Sequence, residues 1–438
     1  MNINKINIPF LLQASVASFG TYFCMYAFRK PFSVATFEGI QFFHIDYKIL
    51  LIIAQVIGYA FSKFIGIKVI SELKSSKRVC YLLALIGVSE IALLFFALVP
   101  APYNLFFMFL NGVPLGMIWG IVFSYVEGRK YTEILGVILC SSFIVSSGMV
   151  KSVGYFIMNS WGISAFWMPA ITGLIFIIPL CFFAWLLERI PPPTAEDKRM
   201  KMKRVTMDAK SRKQVLYHFF VPITVLVFFY MFLTAFRDFR DNFTRELWDD
   251  IGYTEDASIY TTSELLIAIV VLVLLGGTFY IKNNLRALHA YHGVLLTGVL
   301  CILITTWCFQ SGVMSGFYWM VLSGFGLYSC YVPFNCLFFD RFIAAFKLKG
   351  NAGFLIYIAD AFGYLGSVIV LLYKNFGHPN LSWTSFFIYG SYIVSGIGVI
   401  AVLGSYYLLN KKKHHQAKYS IGYPIEYTNL ENVNEYNY

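Results

Sequence analysis

The chain has 438 residues, of which 58% are apolar and only 13% charged, about half the ~25% charged share of a water-soluble domain. That composition excludes a protein solvated on every face. A formal net charge of +11 would suit nucleic acid, but the basic residues sit in short gaps between apolar stretches and build no continuous face, which excludes that partner too.

A membrane-crossing helix needs about 20 mostly apolar residues. Windows of that kind, bounded by charges or by Pro and Gly clusters, recur at 9–37, 48–73, 79–99, 103–126, 133–158 and 164–187, and again at 219–239, 257–281, 287–309, 313–338, 350–373 and 383–409. They predict an all-α membrane protein of twelve transmembrane helices in two six-helix halves, 1–187 and 219–409, joined by a basic linker at 188–218 and followed by a tail at 410–438. The first span is too long for a cleaved signal and no small-residue cleavage site follows it, so it is expected to be retained. The part of the tail after Lys413, rich in Tyr and Asn, has no helical periodicity and reads as a loosely ordered cytoplasmic segment.

The charged gaps set the orientation. Lys74, Lys77 and Arg78, then Arg129 and Lys130, Lys282 and Arg286, Arg341, Lys347 and Lys349, and finally Lys411 to Lys413 all fall on one side. Segment 188–217, on the same side, has nine Lys/Arg against four Asp/Glu, whereas 238–256, on the other, has two against seven. The excess of Lys and Arg in cytoplasmic loops places both termini in the cytoplasm, in a cytoplasmic (inner) membrane. Eight cysteines without a C-x-x-C pair and seven scattered histidines, of which His289 and His292 lack a third ligand, give no zinc site, disulfide framework or catalytic constellation. The expectation is a protein that is not an enzyme, with no metal and no cofactor.

An ionisable side chain in the bilayer costs at least ~2.5 to 3.5 kcal/mol, so each one within a span invites a functional reading. In the first span Tyr22, Tyr26 and Arg29 are spaced i, i+4, i+7 on one helical face. If that helix stopped at Phe28, Arg29 and Lys30 would form a basic pair on the wrong side of the membrane, which argues for helix through Arg29. The seventh span repeats the pattern with Tyr230, Thr234 and Arg237, as a two-fold-related pair of anion ligands would require. In the second span Gln55, Tyr59 and Lys63 share a face, and in the fifth Lys151 follows Ser147 and precedes Tyr155. Three acids oppose them: Glu90, Glu264 and Asp360, the last flanked by Tyr357 and Tyr364. Asp360 and Glu264 read either as a coupling site for a proton or as structural ion pairs, the arginines either as ligands or as snorkelling anchors. Counting Arg29, Lys30, Lys63, Lys151 and Arg237 against the three acids leaves two positive charges that an anion would neutralise.

At these residues the chain resembles the organophosphate:phosphate antiporters of the major facilitator superfamily. Tyr26-Ala27-Phe28-Arg29-Lys30-Pro31-Phe32 is similar to the Tyr-x-x-Arg-Lys-x-Phe of that family's first helix, Gly58-Tyr59-Ala60-Phe61-Ser62-Lys63-Phe64-Ile65 to its second-helix pattern, and Asn111-Gly112-x-x-x-Gly116-Met117-x-Trp119 to its fourth. The resemblance carries the family's substrate-phosphate ligands onto Arg29, Lys63 and Arg237, with Arg240 a weaker match one turn on. A family histidine in helix five falls near Val145, and the loop Gly66 to Arg78 lacks the usual Gly-x-x-x-Asp-Arg pattern. The chain therefore reads as a divergent bacterial branch.

The expected function is secondary active transport of a small anionic solute, phosphorylated or carboxylated, by alternating access about a midplane site, with a proton or inorganic phosphate as counter-substrate. Arg29 and Arg237 would clamp the anion, Lys63 and Lys151 would tune affinity, and Tyr22, Tyr26, Tyr59, Tyr230, Tyr331 and Tyr364 would contact the rest of the solute. A second reading keeps the fold but makes the protein a sensor or receptor that binds such a solute without moving it. The oligomeric state is not encoded in any motif. The orientation has a direct check: a cysteine introduced at Asp249 is expected to react with a membrane-impermeant thiol reagent on intact cells, and no labelling at normal expression would refute it.

Overall fold

The computed structural model describes residues 8–420 apart from 43, 73–74, 128, 130, 195–208, 255, 347, 349–351 and 378–380. Most of the expected linker and the tail beyond Ser420 lie outside the described residues. In chain order the helices are α1 Ile8–Met25, α2 Tyr47–Glu72, α3 Arg78–Leu98, α4 Leu105–Val126, α5 Thr132–Trp161, α6 Met168–Glu188, α7 Ala209–Asn242, α8 Thr244–Asp250, α9 Ser258–Gly277, α10 Asn284–Gln310, α11 Gly316–Cys336, α12 Phe338–Ala345, α13 Ala352–Leu372 and α14 Trp383–Ser420. A two-stranded antiparallel hairpin, β1 Gln41–Phe42 with β2 Ile45–Asp46, is the only sheet among the described residues.

Ten of these helices are each long and apolar enough to cross a membrane, and α11 with α12, bent by 52°, makes an eleventh span. α2, 26 residues long and packed along α4, occupies the place of the second expected span. Side chains such as Ile178, Val273 and Ile400, at 80%, 72% and 76% exposure, cover the outside of the bundle. That surface suits acyl chains and no aqueous solvent.

Lipid offers no hydrophobic drive between helices, so close backbone approach at small residues has to supply the packing. Gly58 on α2 lies against the carbonyl of Phe109, and Gly112 on α4 lies against the carbonyl of Gln55, a reciprocal contact with no space for a Cβ on either side. Gly148 does the same for α5 against the carbonyl of Tyr260 on α9, joining the first six helices to the later ones.

Three expectations are corrected here. The first span does not stay helical through Arg29: α1 ends at Met25, a 3-10 turn covers Tyr26–Phe28, and a second turn spans Pro31–Val34. Pro31 contributes to the break, since it has no N–H to bond the carbonyl of Ala27 four residues back. Segment 238–256 is not an external loop throughout, because α7 runs on to Asn242 and buries Asp238, Arg240 and Asp241. The chain after Lys413, expected to be loosely ordered, remains helical as far as Ser420.

Replacing Gly112 with valine should lower the thermal stability of the detergent-solubilised protein by ~1–3 kcal/mol through overpacking. Gly87→Val, where an added Cβ meets nothing, should leave it unchanged. Equal unfolding midpoints for both variants would remove the α2–α4 contact from this account.

Candidate functional site

The break in the first helix frees two carbonyls, and their partners come from neighbouring helices. Asn111 Nδ2 donates to Phe28 O at 3.0 Å and to Ser89 Oγ at 2.7 Å, while Gln55 Nε2 donates to Arg29 O at 3.0 Å and to Asn111 Oδ1 at 2.8 Å. Asn111 and both carbonyls are thus satisfied in a buried site, where each unmet group would cost about 1–3 kcal/mol. The effect is to fix Arg29 at the end of the turn, pointing into the bundle.

A central cavity is lined by Tyr22, Tyr26, Arg29, Tyr59, Lys63, Trp119, Phe143, Arg237, Tyr331, Asn335, Asp360 and Tyr364. It leaves about 20 Å³ to the centre of a water-sized sphere, room for about one water. Arg29 lies over the Tyr59 ring at 4.0 Å, and Arg237 over Tyr331 at 4.3 Å, both within the ~6 Å range of cation–π attraction. Lys63 Nζ meets Asp360 Oδ2 at 3.3 Å, a bridge between α2 and α13, and Tyr230 donates to Asp360 Oδ1 at 2.8 Å. Arg237 is held by its neighbour Asp238 at 2.6 Å, whose other oxygen accepts from Ser367 at 2.7 Å. Arg29 has no carboxylate partner among the described residues, and its Nε donates to nothing.

Of the residues expected from the sequence, Arg29, Lys63, Arg237, Tyr22, Tyr26, Tyr59, Tyr331, Tyr364 and Asp360 converge on this cavity. Tyr230 stands one layer behind it, stacked on Tyr331 at 5.3 Å. Lys151 is not at the cavity wall. Its ammonium donates to Asp241 O and Oδ1, both at 2.6 Å, and to Thr244 at 3.0 Å, and Asp241 is shared with Lys30 and Ser147. Glu264 pairs with Arg240 at 2.6 Å, away from the cavity, which makes the weaker helix-seven arginine a structural one.

Trp119, Phe143 and Asn335 were not among the expected site residues. Asp241 was missed as well, although Tyr230, Thr234, Arg237 and Asp241 continue one i, i+4, i+7, i+11 stripe that a longer helix would have exposed. With α7 extended, the buried charges, Lys48 and Lys374 apart, become six cations, Arg29, Lys30, Lys63, Lys151, Arg237 and Arg240, against five acids, Glu90, Asp238, Asp241, Glu264 and Asp360. With every acid ionised that leaves one excess positive charge, not two, and the Lys48–Glu246 pair beside them adds none.

Bonds between the early and late helices close the cavity on both sides. On the side of the chain termini Arg341 Nη2 donates to Glu133 at 2.8 Å. On the opposite side stand Lys30 and Lys151 with Asp241, Lys48 with Glu246, and Arg245 donating to Val34 O at 2.9 Å.

Solved structures place this architecture. The chain is similar to a D-xylose–proton symporter (TM-score 0.61, 15% identity, 91% of this chain and 97% of that one). It is also similar to the nucleoside transporter NupG (TM-score 0.58, 17% identity, 92% and 99%) and to a POT family transporter in complex with a thioalcohol-conjugated peptide (0.56, 15%, 91% and 95%). The chain has the fold that these solved structures share, and ten or eleven of its helices are long and apolar enough to make it a multi-pass membrane protein. Within that fold, the chain belongs to the family described as "Family of unknown function (DUF5690)", whose model matches residues 31–412. No curated protein matches it in sequence.

Arg240→Met should destabilise the protein by ~3–5 kcal/mol, because Glu264 is left buried without a partner, and adding Glu264→Leu should recover most of the loss. Thermal unfolding of the two variants in detergent tests this; a double variant no better than the single would deny the pair its structural role.

Proposed function

We propose that the protein moves a small anionic solute, phosphorylated or carboxylated, across the membrane by alternating access, with the central cavity as the binding site. The observation that carries this reading is the charge of that cavity. Lys63 faces Asp360 and Arg237 faces Asp238, whereas Arg29, 4% exposed, faces only aromatic rings. A buried guanidinium without a carboxylate is strongly disfavoured unless an anion joins it, and its planar fork matches a carboxylate or phosphate in two parallel hydrogen bonds.

In this reading Arg29 is the primary ligand and Arg237 a secondary one that shares its donors with Asp238. The narrower resemblance to organophosphate:phosphate antiporters supports the pairing of Arg29, Lys63 and Arg237 around one anion. Tyr22, Tyr26, Tyr59, Tyr331 and Tyr364 would receive the body of the solute, since aromatic faces accept apolar groups and their hydroxyls accept or donate at the rim. Space for about one water means that the solute enters when the helices part, and that the bridges on one side give way while those on the other hold. Both termini are assigned to the cytoplasm on the distribution of basic loops.

A panel of phosphate esters and carboxylates, screened by thermal stability of the purified protein, should contain a ligand that stabilises it by ~2.7 kcal/mol at a hundredfold excess over Kd. Arg29→Ala should erase that gain in a protein that remains folded, and Arg29→Lys should not restore it, because lysine keeps the charge without the fork. Exchange of the same ligand across sealed liposomes completes the test. Undiminished stabilisation in Arg29→Ala would sink the site, and stabilisation without flux would transfer the protein to the sensor reading.

A further inference from the structure

Four of the five acids buried in the bundle have a cationic partner: Asp238, Asp241, Glu264 and Asp360. Glu90 does not. It lies on α3 at 4% exposure, and neither of its carboxyl oxygens has a hydrogen-bond partner. The fold nevertheless makes a place for it. Gly173 on α6 abuts Oε2 so closely that any Cβ there would overlap the carboxyl, and that same Cβ would press on the ring of Phe28. The carboxyl therefore sits between α6 and the broken end of the first helix. Its neighbour Ser89 is bound by Asn111, the residue that also holds the carbonyl of Phe28.

No charge faces this carboxyl from the elements packed against α3. Tyr26 and Arg29, on and after the 3-10 turn, are directed to one another and to Tyr59. The titratable groups of α4 and α6, Tyr125 and Glu188, are bonded to each other at 2.6 Å beside Arg78, at the far end of α3, about 18 Å along the helix from Glu90. Cys181 of α6 is exposed on the outside of the bundle. An ionised carboxylate in such a place has neither water nor a counter-charge, and the physical outcome for an isolated buried acid is to hold its proton.

We propose that Glu90 is a proton-binding site, a carboxyl that keeps a proton on one oxygen while the first helix is broken and closed as described. The O–H bond would break, with the proton passing to water, only when the turn Tyr26–Phe28 moves away and water reaches the Gly173 cradle. Asp360, already engaged by Lys63 and Tyr230, has no such vacancy. On the transport reading given above, a solute whose passage rearranges Arg29 would thereby move with or against this proton.

The test uses the full-length protein in liposomes and the proton alone as ligand, so its result is independent of the solute and of that reading. Infrared difference spectra between neutral and alkaline buffer should contain a protonated-carboxyl C=O band that is absent from Glu90→Gln and survives in Asp360→Asn. No such band in the wild type, or an undiminished band in Glu90→Gln, would overturn the proposal. Should Glu90→Gln fail to fold, Glu90→Asp decides. That variant draws the carboxyl back from Gly173, so a shifted band supports the site and an unshifted one refutes it.

Discussion

Two carboxamides hold the site together. The first helix breaks inside the bundle before Pro31, and a backbone opened there would be intolerable in an apolar medium unless its carbonyls were bonded. Asn111 and Gln55 supply those bonds from α4 and α2. Their reach is short, so α2 and α4 must lie almost in contact, and the reciprocal glycines Gly58 and Gly112 permit that approach. Arg29 is placed over Tyr59, and Lys30 against Asp241 and Asn242, because the turn between them is pinned in this way. Were the helix continuous, Arg29 and Lys30 would diverge by about 100° on a regular helix and both would need partners elsewhere.

Hydropathy made the helical membrane bundle legible, since a run of about 20 apolar residues has few alternatives, and ten or eleven of the expected spans are helices long and apolar enough to cross a membrane. The convergence of Arg29, Lys63, Arg237 and Asp360 was legible as well. Charges at helical spacing inside apolar stretches have to face the interior, and helices one, two, seven and eleven supply that interior. Less was legible at the ends of the helices. Asp238, Arg240 and Asp241 look like the start of a polar loop because charge normally ends a span. In the folded chain they are instead neutralised by one another's neighbours, a fact that depends on Lys30, Lys151 and Glu264 arriving from other helices. Lys151 was misplaced for the same reason: its partner Asp241 is 90 residues away and was read as solvated. No single-sequence pattern encodes such a pairing.

The same pairing separates two kinds of cation. The Lys151 ammonium and the two terminal nitrogens of Arg240 are engaged by carboxylate, carbonyl and hydroxyl oxygens, so each stabilises one arrangement of helices. Arg29 is engaged only by π-faces, an attraction of about 0.5–2 kcal/mol that a carboxylate or phosphate readily exceeds. Depth in the membrane does not distinguish the two groups. Occupancy of the donors does.

The ion pairs also differ in their mechanical fate. Arg237 and Asp238 are consecutive residues of one helix, so any rigid displacement of α7 carries both and leaves their bond intact. Lys63 and Asp360 sit on α2 and α13, and Arg341 and Glu133 on α12 and α5, so a displacement of the later helices against the first six pulls each pair apart. A bundle wired like this has permanent joints and separable clasps. The separable clasps all span from the first six helices to the later ones, and their rupture on one face or the other sets which aqueous compartment the aromatic chamber meets.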